Sequence, residues 1–238
     1  MHSSSDSFPE AFASAIIVAG GSGHRMDGVG GGVRKQYLQV AGVPVLLRAV
    51  LPFVDHPAVA QVVVVLPADD LSAPPEWLLD QPLTLVAGGS ERGDSVWNGL
   101  LAVREESEVV LIHDGARPFV STHIIDNVLE QCLSTGAVPT TAVTDTIKVA
   151  DAAGMVSGTA DRSRLWHAQT PQGFPRKLLI EAYHRSREEG WTCTDDASVF
   201  ERAGFPVRIV AGAAENLKIT RAMDLEMADL LARGLRRR

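Results

Sequence analysis

Residues 15–26 read Ala-Ile-Ile-Val-Ala-Gly-Gly-Ser-Gly-His-Arg-Met, a β-branched apolar run that passes directly into glycines and then a basic residue. A run without polar alternation suits a strand covered on both faces, and glycines just after a strand let backbone N–H groups approach an anion. Runs of the same kind stand at 62–66 (VVVVL), 83–87 (LTLVA), 109–113 (VVLIH) and 137–143 (AVPTTAV). Between and after them, amphipathic stretches at 45–54, 95–104, 122–133, 175–189, 195–203 and 221–233 predict helices. The alternation predicts an α/β fold: a mostly parallel sheet with helices on both faces, and a ligand beyond the strands' C-terminal ends. One domain spanning residues 1–238 is the expectation.

One stretch breaks the rhythm. Residues 144–164 (TDTIKVADAAGMVSGTADRSR) hold β-like pieces around a D-A-A-G turn, with too few apolar positions for a core of their own. This predicts a protruding arm. A lone two-stranded hairpin is marginal in water, so the arm is expected to pack on something, most economically a second subunit.

Composition narrows the classes of function. The chain is 45% apolar and 21% charged, ordinary for a soluble protein, and no apolar run approaches the roughly 18 residues of a membrane span. The N-terminal MHSSSDSFPE lacks the basic and apolar regions of a signal peptide, and Cys132 and Cys193 make no metal or redox pair, so a reducing cytoplasm is expected. A net charge of −7 argues against nucleic-acid or membrane binding and requires any phosphate site to be local. The C-terminal RGLRRR suits a solvated helix end.

The glycines after the first strand, with Arg25, Arg34 and Lys35 close behind, make a candidate polyphosphate loop, although the same residues would suit a solvated surface loop. Two familiar motifs fail here. A dinucleotide fingerprint counted from Gly21 meets the bulky Met26 where its third glycine belongs, and a P-loop fails because Gln36 follows Lys35. At the end of the fourth run stands His113-Asp114-Gly115-Ala116-Arg117-Pro118. Asp114 there is placed to hold Mg2+, which takes one or two carboxylates with phosphate oxygens and water; the same Asp would equally serve a turn before Pro118. His113 reads as structural. In 88–96 (GGSERGDSV) glycine backbone and small hydroxyls can read a base edge, or Ser95 can cap a helix. Lys218, in Asn216-Leu217-Lys218-Ile219-Thr220, can place a cation over transferring phosphates or stand solvated in a loop.

Taken in order, A-G-G-x-G-x-R-M, K-Q-Y, G-G-x-x-R-x-x-S-V, H-D-x-A-R-P, D-T-I-K, D-R-x-x-L-W-x-A-Q-T-P-Q, T-D-D-A-S and N-L-K-I-T span nearly the whole chain. The series resembles the 2-C-methyl-D-erythritol 4-phosphate cytidylyltransferases. That resemblance implies a Rossmann-like fold, a homodimer, and conversion of CTP and a phosphorylated sugar alcohol to a CDP-alcohol and pyrophosphate with Mg2+. It places Arg25, Lys35 and Lys218 on the triphosphate and its transition state, and Asp114 on the metal. Ala19, Gly20, Gly21, Ser22 and Gly23 become the nucleotide loop, and Gly89, Ser90 and Ser95 the cytosine loop. Thr146, Arg162, Thr170, Thr194 and Lys218 fall around the methylerythritol phosphate with Arg117 near them, the arm carrying Thr146 and Arg162 into the neighbouring subunit. Two departures stand out: the segment between Arg25 and Lys35 is longer and richer in glycine than the family pattern, and Arg34 sits where proline is frequent.

Other classes fare worse. Gly93-Asp94-Ser95 spells the nucleophile triplet of G-D-S esterases, but it follows a later strand than theirs, and no His has an Asp three residues before it. A non-catalytic nucleotide-binding module would not need cations on both sides of an α-phosphate. Within the transferases, a ribitol 5-phosphate cytidylyltransferase is the alternative, sharing the loops and differing around the acceptor.

Overall fold

The computed structural model describes residues 11–21 and 33–235. Ser22, Gly23 and Arg25, read above as phosphate-loop residues, lie outside the described residues. Strand β1 (Ala13–Val18) is followed by a 3-10 turn at Lys35–Tyr37, the small hairpin β2 (Gln39–Val40) and β3 (Val43–Pro44), and helix α1 (Val45–Val54). Next come β4 (Val59–Leu66), the single-turn helices α2 (Ala68–Leu71) and α3 (Glu76–Leu79), β5 (Leu83–Ala87), α4 (Arg92–Leu101), β6 (Val109–Asp114) and α5 (Thr122–Leu129). Strand β7 (Gly136–Ala142) runs out into the hairpin β8 (Lys148–Ala150) and β9 (Val156–Thr159), and the chain returns as β10 (Trp166–Ala168) and β11 (Gln172–Pro175). Helices α6 (Arg176–Glu188) and α7 (Asp196–Arg202), strand β12 (Val207–Ala211) and helix α8 (Ala222–Leu235) complete it.

Strands β5, β4, β1 and β6 lie side by side and parallel, in that order, as their continuous apolar runs predict. Side chains alternate strictly between two cores. Ala15, Ile17, Val62, Val64, Leu66, Val109 and Leu111 face one side, against Leu46, Val50 and Phe53 of α1 and Ile124, Ile125 and Val128 of α5. Ile16, Val63, Val65, Val110 and Ile112 face the other, against Val96 and Leu100 of α4, Leu179 of α6 and Phe200 of α7. The fold is α/β, with helices on both faces of a mostly parallel sheet, and each fully buried Leu, Ile or Phe contributes about 2 kcal/mol.

Beyond β6 the sheet departs from the sequence reading. Strand β11 inserts antiparallel between β6 and β7, β10 extends it along β7, and β12 pairs parallel with the far edge of β7. None of β10, β11 and β12 was expected, because their runs are short and carry Gln, Gly, His or Arg. Gly173 is required at its place: a Cβ there would stand 2.4 Å from Val128 Cγ1 and 3.0 Å from Cys132 Sγ. Helix α4 begins at Arg92, three residues before the expected start. Asp94 Oδ2 accepts from the Ser90 hydroxyl at 2.7 Å and from the Glu91 N–H at 3.3 Å, so the first turn is organised ahead of Ser95, which lies inside the helix and caps nothing. The arm is present as a two-stranded sheet of its own, turning at residues 151–154 with Gly154 at φ +81°.

Cys132 is wholly buried, and burial pushes its thiol up to about 12, whereas Cys193 is partly exposed. A thiol reagent at pH 8 is therefore expected to find one cysteine in the folded protein and both after unfolding in guanidinium. Two reactive thiols in the native protein would contradict this packing.

Candidate functional site

Four strand ends define one rim. After β1 come Ala19, Gly20 and Gly21; after β5 come Gly88 and Gly89; β6 ends on Asp114; and α2 leaves the end of β4. The glycines let these segments touch: a Cβ on Gly20 or on Gly88 would stand 3.0 Å from the Ser95 hydroxyl and within 3.4 Å of the other glycine's Cα. Ser95 is buried between them, its Oγ accepting from the Gly89 N–H at 3.1 Å and donating to the Glu91 carbonyl at 3.1 Å. Ser95 thus shapes the 88–91 loop from the first turn of α4, while Ser90 and Gly89 are exposed. Among the described residues, none comes within 4 Å of a Cβ placed on Gly21.

Asp114 is the centre of the rim's charge. Lys218 Nζ stands 2.8 Å from its Oδ2, Arg117 Nε 3.7 Å from the same oxygen, and Arg92 Nη2 3.6 Å from Oδ1. Burial alone would raise this carboxyl, but Arg92, Lys218 and Arg117 outweigh it and hold it well below the usual carboxylate range. It is an anion at every working pH.

Behind Asp114 runs a one-way chain of hydrogen bonds. The Asp114 N–H donates to Thr170 Oγ1 at 3.0 Å, and Thr170 Oγ1 lies 2.9 Å from His113 Nδ1, while His113 Nε2 lies 3.1 Å from the Arg117 carbonyl. A carbonyl can only accept, so Nε2 carries the proton and Nδ1 accepts from the threonine hydroxyl. Burial pushes His113 down to about 4, leaving it neutral. Thr170, expected beside the acceptor phosphate, has its buried hydroxyl turned to this chain. His113 is structural, as its sequence context indicated.

The segment after β12 is fastened to the same place. Asn216 Nδ2 donates to the Thr170 carbonyl at 2.8 Å, Arg117 Nη1 to the Asn216 carbonyl at 2.7 Å, and the Ile219 N–H to the Ala116 carbonyl at 2.8 Å. Lys218 projects from this clamped stretch to Asp114. Lys35 reaches the same stretch, its Nζ donating to the Ile219 carbonyl at 3.3 Å. The fold therefore brings Lys35, Asp114, Arg117, Thr170 and Lys218 together. Thr194 lies exposed just before α7, and Thr146 and Arg162 lie exposed on the arm, where an Arg162 guanidinium N–H donates to the Thr144 carbonyl.

The sequence reading assigned no role to Arg92, Asp196 or Tyr183. Asp196 is fully buried in the first turn of α7, receiving both Arg92 guanidinium nitrogens at 3.0 and 2.7 Å and the Tyr183 hydroxyl at 2.6 Å. Burial works against the Arg92 charge, but Asp196 and Asp114 overcome it and raise Arg92 further above its ordinary value. Both residues sit inside quoted motifs, G-G-S-E-R and T-D-D-A-S, whose charges read locally as helix-start residues. Asp196→Ala is expected to cost about 2–3 kcal/mol in urea unfolding, because it leaves Arg92 only its 3.6 Å contact with Asp114 and leaves the buried Tyr183 hydroxyl without this acceptor. Adding Arg92→Met should recover much of that; a double variant as unstable as the sum of the singles would contradict the coupling.

Among the described residues no three His, Cys, Asp or Glu side chains gather to hold a metal. The donor set is one carboxylate, ringed by cations. This suits Mg2+ only when phosphate oxygens and water supply its other ligands, and it excludes an all-protein cage from these residues. Three cations on Asp114 also give the rim local positive charge on a chain of net charge −7.

The chain matches the family model described as IspD, 2-C-methyl-D-erythritol 4-phosphate cytidylyltransferase, over residues 13–233. It is 40% identical over 221 residues to the 2-C-methyl-D-erythritol 4-phosphate cytidylyltransferase of Syntrophus aciditrophicus, covering 90% of this chain and 93% of that one. Its fold is similar to the crystal structure of 4-diphosphocytidyl-2C-methyl-D-erythritol synthase from Anaerococcus prevotii, with a TM-score of 0.82 and 29% identity over 94% and 96% of the two chains. The 2-C-methyl-D-erythritol 4-phosphate cytidylyltransferase of Thermus thermophilus superposes with a TM-score of 0.77 at 34% identity, over 94% of this chain and 100% of the other.

Proposed function

The chain belongs to the 2-C-methyl-D-erythritol 4-phosphate cytidylyltransferase family, and on that premise we propose that it transfers CMP from CTP to 2-C-methyl-D-erythritol 4-phosphate. The products are 4-diphosphocytidyl-2-C-methyl-D-erythritol and pyrophosphate. The observation that carries this reading is the cationic rim: Lys218, Arg117 and Arg92 around Asp114, with Lys35 reaching the same clamped segment.

Chemistry of this kind needs charge neutralisation and alignment more than proton transfer. A phosphate monoester is largely dianionic at neutral pH, so one of its oxygens attacks the α-phosphorus without a general base. A new P–O bond forms on one side while the bond from the α-phosphorus to the bridging oxygen breaks on the other, its electron pair leaving with pyrophosphate. Lys35 and Lys218 meet the charge that develops on the triphosphate, and the family pattern assigns Arg25 to the same charge. Mg2+, held by Asp114 and the triphosphate, would neutralise further phosphate charge. The 88–91 loop, shaped by Ser95, offers the backbone edge and the Ser90 hydroxyl to the base.

The working unit in this reading is a homodimer in the cytoplasm. Support comes from the arm, whose β8–β9 hairpin exposes Val149, Met155 and Val156. Two strands with that much uncovered apolar surface are marginal alone. Arg162 and Thr146 then serve the neighbouring subunit's acceptor site.

Pyrophosphate release tests the reading directly. With Mg2+, CTP and 2-C-methyl-D-erythritol 4-phosphate, turnover is expected; each of the other three nucleoside triphosphates, and ribitol 5-phosphate as acceptor, should give little. Release with ribitol 5-phosphate and none with the methylerythritol compound would overturn the substrate assignment.

A further inference from the structure

Lys35 sits in a one-turn 3-10 element whose two neighbours grip one carboxylate. Arg34 Nε lies 3.1 Å from Asp70 Oδ2, and the Tyr37 hydroxyl donates to that same oxygen at 2.6 Å. Asp70 belongs to α2, which leaves the C-terminal end of β4, so its place is set by the central sheet. Between these two contacts, the buried Gln36 turns the other way and donates its Nε2 to the Ala19 carbonyl at 3.0 Å. The Tyr37 N–H closes the turn on the Arg34 carbonyl at 2.9 Å. Arg34 itself has φ −62° and ψ 140°, an extended entry into the turn. Burial first, and then the bond to Asp70, push the Tyr37 hydroxyl above its ordinary value, so it remains a donor at every working pH.

We propose that Arg34, Tyr37 and Asp70 form a latch that positions Lys35 over the triphosphate, making all three positioning residues for the transfer step. The proposal rests on the reading that Lys35 serves the triphosphate. Without the shared carboxylate, the turn loses the one group that ties Arg34 to the Tyr37 hydroxyl and keeps Gln36 on the Ala19 carbonyl, the Tyr37 ring edge-on to Trp77 and Lys35 Nζ on the Ile219 carbonyl, so the Lys35 end of the turn is held less firmly against the sheet. An ammonium misplaced by about 1 Å loses much of its effect on the transition state, on the order of tenfold to a hundredfold in rate. Asp69, the neighbouring carboxylate, is almost wholly exposed and 3.8 Å from Arg34, so it contributes little.

The test is a double-variant cycle on the full-length protein, with kcat and the KM for CTP measured alongside melting temperature. Asp70→Asn is isosteric and should lower kcat about tenfold, with a melting temperature close to wild type. Tyr37→Phe should fall in the same direction, and Asp69→Asn should turn over like wild type. The decisive comparison is in a Lys35→Ala background, where Asp70→Asn should cause no further loss, because the latch acts only through Lys35. Amide exchange at residues 34–38 should quicken in Asp70→Asn whether or not substrate is present. Wild-type kcat in Asp70→Asn, or an undiminished further loss when Lys35 is already alanine, overturns the latch and leaves the functional reading standing. Full turnover in Lys35→Ala would instead remove Lys35 from the mechanism, and the latch with it.

Discussion

Lys218→Ala is expected to lower kcat by about a hundredfold or more while leaving the protein folded. Lys218 lies 2.8 Å from Asp114 and projects from a stretch held by Asn216, Ile219 and Arg117, so its ammonium is placed before any substrate arrives. A cation arranged in advance stabilises charge that appears only in the transition state, and its loss is felt in kcat more than in the KM for CTP. Stability should hardly move. Asp114 keeps Arg92 and Arg117 within 3.7 Å, so removing Lys218 does not leave a buried carboxylate unpaired. The measurement is steady-state pyrophosphate release paired with thermal unfolding. Turnover near wild type with an intact fold would take Lys218 out of the chemistry and return it to a structural partner of Asp114.

The second large effect is a recovery. Arg162→Ala and Lys35→Ala proteins should each be nearly inactive, yet mixing them and allowing subunits to exchange should restore activity. If the arm of one subunit completes the site of the other, each mixed dimer has one site with both defects and one with neither. For equal amounts of the two proteins, about a quarter of all sites are then whole. If each subunit used its own Arg162, every site would keep one defect. Arg162 and Thr146 are exposed at the base of a hairpin that pairs with no other described strand, which leaves them free of the body's own sheet as a crossed arm requires. Guanidinium grips a phosphate with two parallel hydrogen bonds, so Arg162→Lys should raise the KM for the phosphorylated alcohol more than that for CTP. Continued inactivity after exchange has been demonstrated would end the crossed-arm reading.

How much of this was legible beforehand follows from the range of the interactions involved. Strands β1, β4, β5 and β6 were readable because each is an unbroken apolar run buried on both faces, a local signal. Strand β11 was not: Gln172-Gly173-Phe174-Pro175 becomes a strand through β6 and β7, and its glycine is explained only by Val128 and Cys132 across the core. Strand β12 likewise depends on β7, far back in sequence. The site divides in the same way. Asp114 and Lys218 were readable as candidates from strand-end position and motif, but their meeting was not, and Arg92 with Asp196 stayed hidden because each charge has a reasonable local role. A pair of residues 104 apart carries no periodicity to find.

The way the arm joins the sheet has a use beyond catalysis. Its two roots lie side by side: Ala142 pairs with Trp166 across β7 and β10, and the Val143 N–H donates to the Leu165 carbonyl at 3.2 Å. A chain that leaves and re-enters a sheet at adjacent points can be cut there and rejoined by a tight Asn-Gly turn without redirecting any strand. The arm is thus an interchangeable cassette. If the arm mediates the dimer proposed above, grafting arms of altered shape or charge onto an unchanged body would yield sets of subunits that recognise only their intended mates, so that two variants of this protein could be kept from mixing in one cell.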